Sequence, residues 1–183
     1  FAAGKGAIPV TRGFAYILYQ EGVFAPITNT TFANSAVPGS LSIDVLNWQL
    51  PAAIKSFKPQ VVTVFIGGND LQKVLGGANP ATVLAAYGQN IAGTLCGLRD
   101  GISPSPLVII ANQPDFPWLT EMNPQVRVVI MALNQITAEV AQACNARVAD
   151  VFTAFDGRTG LFLHDRNGVA PNEPHPTNLG YRV

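Results

Sequence analysis

A chain of 183 residues, 48% of them hydrophobic, can bury one sizeable core, and a single domain over residues 1–183 is the expectation. Only 12% of the residues are charged, eleven basic against eleven acidic, so no net field exists to hold a polyanion and a nucleic-acid partner is not expected. The apolar runs, such as residues 61–66 and 107–111, are far shorter than a bilayer crossing needs, and no transmembrane segment is predicted.

In chain order, residues 12–21 read as a helix and residues 31–36 as a strand. A helix over 43–57 precedes a strand over 61–66. Helix 80–98 and strand 107–112 follow, then helix 125–144 and strand 147–152. Asn79-Pro80 and Asn123-Pro124 read as helix starts, because proline is preorganised for the first helical turn. Val- and Ile-rich strands separated by helical stretches form the pattern of a parallel sheet with helical crossovers, which predicts an α/β sandwich. The stretch 102–106, with its Ser and Pro residues, reads as a helix-to-strand connection. The segment 113–121 reads as a surface loop showing Phe116, Trp118 and Leu119, either as the wall of a substrate pocket or as a loop folded over its own core. Cys96 and Cys144 fall in helical stretches without metal-ligand spacing and read as buried thiols, a disulfide between them being the alternative.

In open parallel sheets function gathers beyond the carboxyl ends of the strands, and three segments there can carry chemistry. Residues 61–70, VVTVFIGGND, deliver a Gly turn and then the Asn69 amide, which can donate to a developing oxyanion. Asp70 can accept backbone hydrogens and hold that turn; the plain alternative is a strand-to-turn transition. Gly39, within 34–40, can present its backbone N–H to a ligand, and a plain strand-to-helix connection is the competing reading. Near the end of the chain, Pro174 and Pro176 stiffen the loop carrying His175. Glu173 can orient one ring nitrogen while the other faces a nucleophile, and Asn178 can cap a following helix. The other histidine, His164, has no comparable support and reads as structural, and no metal-ligand spacing is present.

Together these segments resemble conserved blocks of the GDSL or SGNH hydrolases. Gly39 is similar to the block-two glycine, Gly67-Gly68-Asn69-Asp70 matches the GxND of block three, and His175-Pro176 with Gly180-Tyr181 resembles the closing HP and GY elements. The resemblance implies a three-layer α/β/α sandwich with a mostly parallel central sheet. It also implies an oxyanion hole from Gly39, Asn69 and the nucleophile's own N–H, with His175 as general base. Phe1-Ala2-Ala3-Gly4 resembles the tail of the Gly-Asp-Ser block, so the nucleophilic serine is expected immediately before Phe1, with the first strand upstream and the domain cut at both ends. Ser35, Ser40, Ser42, Ser56, Ser103 and Ser105 have no motif support as nucleophile, Ser40 being the one to test. The family's usual acid stands where this chain has Asn172. Glu173 is the candidate in its place, ahead of a Ser-His dyad and of Asp165.

The implied function is carboxylic ester hydrolysis through an acyl-enzyme, acting on a small ester or lipid-like substrate without a cofactor. The resemblance further implies an extracellular or periplasmic location. The alternative from another class is a binding module of the same fold that has lost its nucleophile. A Rossmann-like nucleotide binder ranks below both, since no GxGxxG follows a first strand.

Overall fold

Three short parallel strands carry the larger part of the molecule: β1 (Val61–Val64), β2 (Leu107–Ala111) and β3 (Arg147–Ala149), in the order β1-β2-β3. Val61 pairs with Leu107 and Val64 with Ile110, while Ile109 pairs with Arg147 and Ala111 with Ala149. The computed structural model describes residues 1–22, 24, 26–158, 160–163 and 173–183, so His164, Asp165 and Asn172 lie outside the described residues. The chain divides into two compact units, Gly39–Thr153 and Phe1–Pro38 with Ala154–Val183.

The unit 39–153 is the α/β one. Around its sheet stand α2 (residues 42–57), α3 (Gly68–Leu75), α4 (Pro80–Gly101), α5 (Pro117–Met122) and α6 (Gln125–Ala143). The start of α4 matches expectation: Pro80 occupies the first turn and the Asn79 side chain accepts from Thr82 N–H at 3.1 Å. Buried Tyr87, Ile91, Leu95 and Leu98 on α4, and Ile130, Leu133 and Ala141 on α6, recur at helical spacing. Leu95, Leu98, Ala141 and Cys144 close over Val64, Val108 and Ile110 of the sheet. Each large aliphatic so buried contributes about 1.5–3 kcal/mol.

α2 alternates between α-helical pieces (Ser42–Asp44, Leu50–Ala52) and π-helical ones (Val45–Gln49, Ala53–Phe57). The widened turns bring the mean period close to four residues, which lines up Leu46, Leu50 and Ile54. These face Gly93, Gly97 and Gly101 of α4, where an added Cβ would come within 2.9, 2.9 and 2.6 Å of the three side-chain tips. The missing side chains on α4 are what let the two helices approach.

Several expectations need correction. Cys96 and Cys144 are not thiols but a disulfide joining α4 to the end of α6. Strand β3 stops at Ala149 because the Asp150 side chain accepts from Thr153 N–H at 3.1 Å and starts α7 (Val151–Phe155). Residues 117–122 form α5 and not a surface loop. Asp115 accepts from Phe116 N–H and Thr120 Oγ–H, at 2.9 and 2.8 Å, and pairs with Arg127. Phe116 and Trp118 are buried there, ring centroids 5.7 Å apart, so only Leu119 of the three is even half-exposed.

The second unit holds α1 (Phe14–Gln20), a 3-10 turn over Val10–Arg12 and another over Gly180–Arg182. Residues 31–36 are irregular and not a strand. Asn34 turns its amide to Ala2 C=O at 2.9 Å and its oxygen to Ala36 N–H at 3.1 Å, a local alternative to ladder bonding. Phe32 stacks on Tyr19 of α1, ring centroids 4.9 Å apart.

Candidate active site

The candidate residues fall in two groups, one in each unit. In the unit 39–153, β1 delivers the chain to Gly67 and α3 begins, placing Asn69 in its first turn. Asn69 Nδ2 donates to Ser40 C=O at 2.7 Å. A primary amide carries two N–H bonds, and holding one of them aims the other. Gly39, one residue before Ser40, has φ of 87°, the left-handed region where a side chain is strained, and it is exposed. The loop then enters α2, where Asp44 Oδ2 accepts from Leu41 N–H at 2.8 Å.

Asp70, next to Asn69, is buried and holds Ser42 twice: Ser42 N–H donates to Oδ2 at 3.0 Å and Ser42 Oγ–H to Oδ1 at 2.7 Å. Asn90 of α4 donates to the same Oγ at 3.0 Å. Asp70 thus holds the backbone of Ser42, 28 residues away, where the sequence pattern predicts that it holds its own Gly turn, and Ser42 and Asn90, whose partners lie 28 and 48 residues away, have no local signal. At the end of β2, Gln113 Nε2 donates to Ile66 C=O at 2.7 Å and ties the two strand ends together.

In the other unit His175 sits on an irregular loop laid against residues 161–163. Phe162 bridges Pro176 in antiparallel fashion, Leu163 N–H donates to His175 C=O at 2.9 Å, and Thr177 N–H to Leu161 C=O at 2.8 Å. Glu173 contacts His175 through Nδ1. Burial lowers the imidazole pKa below its ordinary value, outweighing the Glu173 hydrogen bond that raises it. Burial also pushes Glu173 up, but the hydrogen bond and charge of His175, with Lys5, hold its carboxyl below the usual range.

Phe1 lies beside this pair, its ring centroid 6.0 Å from that of His175 and 6.4 Å from that of Tyr181. Tyr181 Oη donates to Lys5 C=O at 2.5 Å. Asn178 does not cap a helix: it accepts from Ile8 N–H and donates to Ile8 C=O, both at 2.9 Å, so residues 5–8 and 178–181 are stitched together. At the start of the last turn Thr177 Oγ accepts from Gly180 N–H at 3.1 Å. At Gly180 a Cβ would stand 2.1 Å from Leu161 O, so no other residue fits there. Among the described residues no group of acidic, His or Cys side chains could hold a metal ion.

The parallel sheet with its covering helices has the α/β architecture of the GDSL/SGNH hydrolases. The chain belongs to the GDSL-like lipase/acylhydrolase family, whose profile matches residues 4–183. Among solved structures, phospholipase A1 from Streptomyces albidoflavus is 20% identical with a TM-score of 0.69, over 94% of this chain and 82% of that one. An extracellular lipase from Streptomyces rimosus is 18% identical with a TM-score of 0.61, over 99% and 86%. An acetyl xylan esterase from Geobacillus stearothermophilus is 19% identical with a TM-score of 0.65, over 93% and 76%. At these identities the likeness is one of fold. No curated protein sequence matches the chain. At family level the activity is carboxylic ester hydrolysis, and among the described residues no helix is long and apolar enough to cross a membrane.

Proposed function

We propose that the protein hydrolyses small or lipid-like carboxylic esters through an acyl-enzyme, with the serine immediately before Phe1 as nucleophile. His175 is the general base, Glu173 its acid partner, and Gly39 N–H and Asn69 Nδ2–H the oxyanion donors. With Glu173 on Nδ1–H, the imidazole keeps Nε2 as the acceptor. Nε2 takes the serine proton as Oγ attacks the carbonyl carbon. The oxyanion donors hold the tetrahedral charge. Its collapse expels the alcohol, which carries away the proton from Nε2, and water then repeats the sequence to release the acid and restore serine.

The observation that supports this reading is the Phe1 ring beside His175, ring centroids 6.0 Å apart, Phe1 being the sequence neighbour of the proposed serine. The family match supports a single hydrolase domain, because it spans residues of both units. The Cys96–Cys144 disulfide supports an extracellular or periplasmic location, since such bonds persist in oxidising compartments.

The decisive experiment uses the longer chain that carries the residue before Phe1. A fluorophosphonate should label that serine, located by peptide mass spectrometry, and p-nitrophenyl esters should turn over. Asn69→Ala should lower kcat by about 10² to 10³ with the fold intact. A serine that stays unlabelled, with no ester turned over, would make the chain a binding module. Full turnover in Asn69→Ala would remove that residue from the oxyanion hole.

A further inference from the structure

Ser42 and Asp70 take no part in the chemistry above, yet both are buried, at 1% and 6% exposed. A buried polar group left without a partner is costly, and these groups form a connected set. Asp70 accepts from the Ser42 N–H and hydroxyl, and Asn90 donates to the Ser42 oxygen. The three residues fasten the starts of α2 and α3 to the middle of α4.

We propose that Ser42, clamped by Asp70 and Asn90, is a positioning residue for the oxyanion hole; the proposal rests on the esterase reading given above. Both oxyanion donors depend on the loop that ends at Ser42. Gly39 lies three residues upstream, and Asn69 is aimed by the carbonyl of Ser40. Gly39 is exposed and has no side chain to anchor it. Its N–H direction is therefore fixed by φ and ψ along a short loop, and the firm end of that loop is Ser42. The other end of the clamp, Asp70, is the covalent neighbour of Asn69, so one carboxylate holds the loop in register with the amide that the loop aims. Donors aimed at a developing oxyanion must be in place before the charge appears, and a displacement of about 1 Å at a reacting centre can cost about 10²-fold in rate.

The test uses Ser42→Ala in the longer chain, which removes the hydroxyl but leaves the Ser42 N–H bond to Asp70, and so spares the fold better than a change at Asp70. We expect kcat to fall about 10- to 100-fold at unchanged KM. Affinity for an alkyl boronic acid, a mimic of the tetrahedral intermediate, should fall by a similar factor. Ser42→Thr, which keeps a hydroxyl, should recover most of the loss. On an Asn69→Ala background, Ser42→Ala should cost clearly less than it does alone, because part of what it positions has gone.

Wild-type kcat in Ser42→Ala, beside a crippled Asn69→Ala, overturns the positioning role and leaves the esterase reading standing. A full additional loss on the Asn69→Ala background overturns it too, as does a loss that merely follows the folded fraction. If Asn69→Ala itself keeps full turnover, the reading of the hole fails and this proposal falls with it.

Discussion

The two groups of candidate residues are held in different ways. Gly39 and Asn69 stand at the entrances of α2 and α3, where helix geometry and a buried carboxylate decide direction. His175 belongs to no helix or strand. Its loop is held by a bridge from Pro176 to Phe162, by bonds from Leu163 to His175 and from Thr177 to Leu161, and by Asn178 reaching back 170 residues to Ile8. A side chain at a helix entrance inherits its position from a cooperative element, whereas a side chain on such a loop depends on each distant contact separately. The first kind of site is set by two helix entrances locked to each other, and the second by separate contacts along a loop.

Breaking the second kind should have the larger effect on rate. His175→Ala removes the proposed base and is expected to lower kcat by about 10⁴, well beyond Asn69→Ala, with ester turnover as the measurement. Equal losses in the two variants would erase the contrast between base and oxyanion donor. Next in size is the disulfide. It closes a separation of 48 residues, and replacing Cys96 and Cys144 by Ala should cost on the order of 4 kcal/mol, seen as a lower midpoint in denaturant. Activity of the folded fraction at 25 °C should stay near wild type, since the bond lies in the helical layer. A matching loss of specific activity would contradict that separation of core from site.

The smallest expected effect is also the most diagnostic. In the proposed mechanism His175 acts as a base only when neutral, so activity is expected to be full above its folded pKa and to fall as pH drops through it. Burial lowers that pKa from 6.5, so the acid limb of kcat/KM should lie below pH 6.5. Glu173 raises the pKa against burial, so Glu173→Gln should move the limb to still lower pH while reducing kcat about tenfold. A limb that stays put or moves upward would mean that Glu173 is not the acid partner.

How much of this could be read from sequence follows the same division. The strands at 61–64 and 107–111 and the long helices α4 and α6 were legible, because buried runs and helical spacing are local patterns. The family was legible from short motifs that the profile match then bore out. The failures came where a distant partner or one polar side chain decides. Residues 31–36 have strand composition, but Asn34 bonds locally and Phe32 is spent on Tyr19. Residues 150–155 turn helical because Asp150 caps them. The QPDFPWLTE stretch looked open because nothing in it announces that Asp115 meets Arg127 or that Trp118 is buried. Glu173 was named from its nearness to His175, and the structure places it on Nδ1. Ser42 could not be named, because only folding brings it to Asp70.

The row of Leu46, Leu50 and Ile54 against Gly93, Gly97 and Gly101 behaves like a set of paired volumes. Each bulky tip fills the space its opposite number leaves, so a methyl gained on one helix has to be given up on the other. Mutational drift along this seam is therefore correlated. A lineage that enlarges Gly97 is expected to trim Leu50, and a designer who wants to stiffen α4 with alanine must shorten α2's side chains in the same step.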